Sequence, residues 1–261
     1  MLFVSALLLG AIVGSFLNVC ILRLPKGESI VSPPSHCPSC QTPIAWFENI
    51  PVFSFLFLKA RCRHCHEKIS WQYAIIEILT AVIFLIFAKQ FGLTAQGIFY
   101  LLMTLALLVV SVIDMRYQII PDEISLPGIV VGLLASTIFP EIQMENIWFW
   151  GLLKSVIGIL VGGGFLYLAG TVAEKILKKE AMGGGDVKLL AMIGAFLGLP
   201  GVLWTCFVSS VVGIVAGVYL RLKNGQERIP YGPYLAVAAV MYLFFFDKTV
   251  SWYMRFIGIK C

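Results

Sequence analysis

Two carboxylates stand out by position. Asp114 lies in "VVSVIDMRYQIIPDEISLP", at the close of a long apolar run, and Asp186 lies in "AMGGGDVKLL", at the opening of another. An ionisable side chain at the edge of lipid is costly and marks a candidate functional site. A pair of them suits one chemistry, hydrolysis by an activated water. One carboxylate accepts the water proton while the other, protonated, supports the substrate carbonyl. Side by side the two share a single proton, because like charges at close range cannot both form. Gly183, Gly184 and Gly185 give an extended substrate backbone room to approach Asp186. Lys188 follows as a membrane-edge anchor, a charge partner or a substrate contact. The competing reading of Asp186 is an ordinary helix N-cap, which explains neither the three glycines nor a second carboxylate on the same side. Helix dipoles add an expectation. Asp186 at a helix N-terminus is favoured as the anion, and Asp114 at a C-terminus keeps the shared proton. Asp122 and Glu123, after Pro121, read as acids at a helix start.

A second constellation uses sulfur. "CPSC" places Cys37 and Cys40 together, and "CRHC" places Cys62 and Cys65 together, with 21 residues between the pairs. Each pair can turn two thiolates toward one ion, and two such turns complete a tetrahedral zinc site. Four protein ligands leave no open position, so the ion is structural. The alternative is redox or disulfide pairing, which a reducing cytosol disfavours. His36, His64 and His66 lie alongside and read as surface residues, with replacement of one cysteine ligand as the other possibility. Cys20, Cys206 and Cys261 are scattered and read as packing residues. Between the pairs, "IAWFENIPVFSFLFLKA" is apolar but too short to span a bilayer; it reads as loop core or as an interfacial segment.

The elements that carry these groups must be membrane helices. The chain has 261 residues, 59% hydrophobic and only 13% charged, where a soluble domain is nearer a quarter charged. The apolar start reads as a retained helix, because it lacks the basic leader region of a signal peptide. Eight apolar segments are predicted, at 1–22, 73–91, 97–113, 124–139, 147–172, 187–199, 201–220 and 231–247. Segment 187–199 is short and is cut from the next by Pro200-Gly201, which suggests a half-deep or tilted helix. The fold class is therefore all-α, a polytopic membrane protein with a zinc-binding loop.

Fourteen of nineteen basic residues fall in alternate loops: 23–72, 114–123, 173–188 and 221–230. By the positive-inside rule these loops face the cytoplasm and both termini lie outside. Both aspartates then meet at the cytoplasmic border. The net charge of +5 is accounted for by this asymmetry and asks for no nucleic acid. The run "IGILVGGGFLYLAG" offers a small-residue face, read as close helix packing rather than a substrate groove. The tail "SWYMRFIGIKC" has aromatics suited to the outer interface.

"GSFLNVCILRLP", the paired CxxC motifs, "DMRYQIIPDEISLP" and "GGGDVKLLAMIGAFLG" together resemble the bacterial prepilin peptidases, the type 4 leader peptidase family of membrane aspartic proteases. The resemblance follows the family's order along nearly the whole chain. The glycine-aspartate motif alone is less specific, since presenilin-like proteases share a form of it.

The resemblance implies an enzyme that removes the leader from prepilins or pseudopilins at the cytoplasmic face of the bacterial inner membrane. It implies N-methylation of the new terminus from S-adenosylmethionine in many members. It carries the catalytic role to Asp114 and Asp186 and the zinc role to Cys37, Cys40, Cys62 and Cys65. It also divides the chain into 1–72, a first helix with the methylation-associated zinc loop, and 73–261, the peptidase domain. No glycine-rich turn for the methyl donor is visible, so no donor-binding residue is assigned. The partners expected are prepilin substrates and lipid. A peptidase without methyl transfer is the alternative. A zinc-stabilised scaffold or a transporter is disfavoured, because transporter sites lie near the bilayer midplane.

Overall fold

The computed structural model describes residues 2–178, 183–224 and 230–256. Residues 179–182 and 225–229, within two of the basic loops, and residues 257–261 of the tail, with Cys261, lie outside them. Every long element among the described residues is a helix: α1 (Leu2–Arg23), α2 (Phe53–Phe57), α3 (Trp71–Gln90), α4 (Ala95–Tyr117), α5 (Asp122–Ile138), α6 (Trp148–Leu177), α7 (Gly184–Asn224) and α8 (Gly232–Phe256). Five stretches, within α1, α3, α4, α6 and α7, are long and apolar enough to cross a membrane. The breaks have local causes. Gly27 and Gly92 take left-handed backbone just past α1 and α3, Ser70 accepts a capping bond from the Gln72 N–H (3.3 Å), and Pro121 precedes α5.

The chain forms two compact units that divide inside α4, at Leu105/Ala106. In the first, α3 packs along α1. Side chains added at Gly10 and Gly14 would meet the Ala81 and Glu77 backbones at 2.6 and 2.7 Å, so small residues set the helix spacing. Buried Asn18 donates across this seam to the Tyr73 carbonyl (3.1 Å). This seam makes α3 part of the first compact unit.

In the second unit α6 packs most extensively on α7. Gly158 and Gly194 meet backbone to backbone, and Gly162 faces the Leu190 carbonyl. Part of the glycine face in α6 is thus used for packing, as expected, while Gly164 faces open space.

α7 is not one rod. Gly198 leaves the helical region (φ 62°, ψ −168°), two residues before the predicted break at Pro200. Pro200 cannot donate to the Phe196 carbonyl, and the turn at Gly198 displaces the next donor as well. Side chains supply replacements. The Gln143 amide donates to the Ala195 and Phe196 carbonyls (3.1 and 3.0 Å), and the Ser136 and Ser155 hydroxyls donate to Ala195 (3.0 and 2.9 Å). All three donors are buried. Beyond the break the second arm returns toward the level where α7 began. Ser209, eleven residues past Gly198, bonds the Tyr231 hydroxyl at 2.8 Å, immediately before α8.

Candidate active site and metal centre

Asp114 lies one turn before the end of α4, which runs on to Tyr117. It is 5% exposed. Its Oδ2 accepts the Gly232 N–H, the first of α8, at 2.8 Å. A β-carbon at Gly232 would fall 2.8 Å from that same oxygen, so the contact requires glycine. The free N–H groups of a helix start welcome a carboxylate. Asp114 is therefore held by another helix's N-terminus as well as lying near the C-terminus of its own.

Asp186 is the third residue of α7, half-buried, with Gly183 just before the helix and its carbonyl accepting the Asp186 N–H (3.1 Å). It sits inside the first turn rather than at the N-cap. The carboxylates of Asp186 and Asp114 are near enough for their charges to interact. The three glycines divide in role. A side chain at Gly185 would collide with Ile120 (2.8 Å), while among the described residues Gly184 meets nothing and Gly183 has only the Asp186 carboxylate nearby (3.5 Å). Lys188 grips both oxygens of Asp122 (2.7 and 2.8 Å), tying the α7 start to the α5 start. Both ends of this pair remain well exposed.

One expectation loses its basis here. The expectation that Asp114 keeps the shared proton requires that Asp186 alone has a helix N-terminus. The α8 start gives Asp114 the same support, so the dipole asymmetry is removed. The sequence does not single out Gly232 as a partner of either aspartate. Its signal was present, a Gly-Pro pair in "YGPY" opening an apolar run, but nothing local says which carboxylate that helix start will meet.

The cysteines come together in the N-terminal unit. The four Sγ atoms of Cys37, Cys40, Cys62 and Cys65 lie within 4.8 Å of one another, with Cys37–Cys65 at 3.8 Å and Cys40–Cys62 at 4.0 Å. A tetrahedron with zinc–sulfur bonds of about 2.3 Å has an edge of about 3.8 Å.

The two halves repeat one backbone design. Cys37 N–H bonds the Thr42 carbonyl and Gln41 N–H bonds back to Cys37; Cys62, Glu67 and His66 repeat the pattern. Gln41 and His66 both adopt left-handed backbone (φ 58° and 57°). Thr42, through side chain and backbone, draws the Cys40 thiol down to about 6. N–H groups of Cys65 and His64 lower Cys62. At Cys65 the favourable Glu67 backbone bond is outweighed by burial and the three neighbouring sulfurs, and its thiol rises to about 12. Such a set of mutually repelling thiolates suits a cation at its centre. No histidine joins the cluster among the described residues, and His36 bonds the Pro34 carbonyl instead (3.1 Å).

The same unit contains a cavity of about 320 Å³, walled by one face of α1 (Ser15, Val19, Arg23), by Pro33 and Pro34, and by Asn49. The Arg23 guanidinium holds the proline wall through the Ser29 and Pro33 carbonyls (2.9 and 2.8 Å).

Residues 8–91 match the bacterial peptidase A24 N-terminal domain, and residues 101–218 match the type IV leader peptidase family. Similar proteins include a prepilin leader peptidase/N-methyltransferase from Xanthomonas campestris, 35% identical over 99% of this chain and 96% of the relative. Proteins of the same name from Pseudomonas aeruginosa (37%, covering 97% and 94%) and Neisseria gonorrhoeae (33%, covering 95% and 93%) are also similar. No solved structure matches the chain. With its aspartate pair, its cysteine cluster and these matches along almost its whole length, the chain belongs to the type IV leader peptidase family.

Proposed function

We propose that this chain cleaves the leader from type IV prepilins or pseudopilins and methylates the new N-terminus, with Asp114 and Asp186 as the catalytic pair. The observation that carries this is a pair of carboxylates from α4 and α7 within range of each other's charge, one buried and one half-buried, with open space beside Gly184 among the described residues. The pair holds one proton. The ionised carboxylate takes a proton from water, and the protonated one bonds the scissile carbonyl as the water attacks. The proton then passes to the leaving amine. Gly232 fixes one Asp114 oxygen and leaves the other for the water or the shared proton. Gly183 and Gly184 leave room for the substrate backbone. Lys188, proposed at first as a substrate contact, is better used holding Asp122.

Cys37, Cys40, Cys62 and Cys65 would hold zinc, whose contribution is to fix the loop rather than to react. The sulfur edges near the tetrahedral value support this. The relatives' name implies S-adenosylmethionine, which supplies an electrophilic methyl group when bound. The cavity beside the cysteine loop is within the usual size of small-molecule sites, and Ser15, Arg23 and Asn49 are its polar groups. The basic loops support a reaction at the cytoplasmic border of the inner membrane. Eight apolar segments fit this arrangement once α7 is taken as two arms joined at Gly198.

The test is incubation with a prepilin and S-adenosylmethionine, read by mass spectrometry. The parent releases the leader and adds one methyl group to the product. Asp114→Asn and Asp186→Asn each stop the cleavage; continued cleavage by either overturns the assignment. Cleavage without the methyl mass would select the peptidase-only reading.

A further inference from the structure

The apolar stretch between the cysteine pairs has a use that the peptidase reading leaves open. Its side chains divide. Phe55 is buried and sets its ring edge-on to Trp71, with centroids 5.0 Å apart. Phe53, Leu56 and Phe57 are 60%, 64% and 83% exposed, and Trp71 is 67% exposed. A contiguous apolar patch of this kind calls for a partner.

Two tethers fix where the patch lies. The Val52 N–H donates to Glu77 Oε2 at 2.7 Å. Glu77 is six residues into α3, about 9 Å along its axis. Ser15 reaches Asn49 at 3.5 Å, and Ser15 is eight residues short of the α1 end, about 12 Å. Two different helices, both long and apolar enough to span, thus hold residues 49–52 alongside themselves, well inside their ends. Interfacial segments sink about 5–10 Å into the boundary between headgroups and acyl chains.

The chemistry agrees with that depth. Irregular backbone in lipid must have its N–H groups satisfied by protein, and Val52, with left-handed backbone (φ 63°), has its N–H satisfied by a carboxylate. A buried carboxylate in a spanning helix is otherwise hard to explain. Past α2 the chain turns basic, with exposed Lys59, Arg61, Arg63 and Lys68, a charge suited to anionic headgroups.

We propose that residues 50–57 form a shallow re-entrant wedge. It places Phe53, Leu56 and Phe57 among the acyl chains of the leaflet from which the cysteine loop emerges, and Glu77 is the positioning residue that holds it there. The occupant of the apolar face is lipid.

The test replaces Phe57 with trifluoromethylphenylalanine in the full chain, in nanodiscs of phosphatidylcholine and phosphatidylglycerol, and follows its fluorine NMR signal. A lipid nitroxide near the top of the acyl chain should erase the signal, and an aqueous gadolinium chelate should leave it. Loss with gadolinium alone, or with neither agent, overturns the proposal, the latter because protein would then cover the face. Glu77→Gln keeps an acceptor for Val52 and should behave as the parent. Glu77→Ala should reverse the two sensitivities; if it does not, Glu77 does not hold the wedge. The outcome does not depend on prepilin cleavage, so it stands or falls apart from the catalytic assignment.

Discussion

At the scale of single residues, the glycines around the aspartates separate by what surrounds them. Gly232 has no space for a methyl group, because a β-carbon there meets Asp114 Oδ2 at 2.8 Å. Gly232→Ala should therefore fold and still lose about 10- to 100-fold in kcat, since small displacements of a reacting group cost rates of that order. Gly184 has nothing within 4 Å among the described residues. If a substrate strand fills that space, Gly184→Ala should raise KM with kcat little changed, measured on a prepilin in detergent. Asp114 and Asp186 were legible in the sequence because a carboxylate beside an apolar run is rare. Gly232 was not, because its importance comes from a contact 118 residues away along the chain. The same holds for Lys188, whose role was open until Asp122 was found 2.7 Å from it.

At the scale of elements, the break in α7 rests on three side chains that sequence periodicity does not reveal. Pro200 announced an interruption, yet the turn occurs at Gly198 and the freed carbonyls are answered from α5, α6 and the connection between them. Gln143→Leu keeps the volume but removes the donor shared by Ala195 and Phe196. An unsatisfied buried carbonyl costs about 1–3 kcal/mol, so this variant should lower the unfolding temperature in a thermal melt. Ser136 and Ser155 still serve Ala195, so the larger loss falls on Phe196. Gly158→Val should be worse, because the added side chain strikes the Gly194 backbone, which cannot move as a side-chain tip can. Helix existence was legible from apolar runs alone. The pairing of α1 with α3, and of α6 with α7, was set by Gly10, Gly14, Gly158 and Gly194, whose partners no local pattern names.

At the scale of the whole molecule, the two chemistries fall in different compact units. Cys37, Cys40, Cys62 and Cys65 lie before Leu105, and Asp114 and Asp186 lie after it. Asp114 is held by Gly232 from its own unit. Around the cysteines the loop's order rests on the sulfur cluster, two isolated bridges (His36 with Pro43, Arg61 with Lys68) and the Glu48–Arg63 pair, besides the tethers that Arg23, Ser15 and Glu77 give its other parts. That is little structure for so long a polar segment, and binding free energy of a metal is then folding free energy of the loop. Replacing Cys37 and Cys40 together by serine should abolish bound zinc, measured by elemental analysis, and loosen the cavity wall at Pro33 and Pro34, four and three residues before Cys37. Methyl transfer should fall to background while leader cleavage persists, both read on the same product by mass spectrometry. Equal loss of both activities would mean that the loop also serves the aspartate pair. Retention of both would leave the cluster without a part in either reaction.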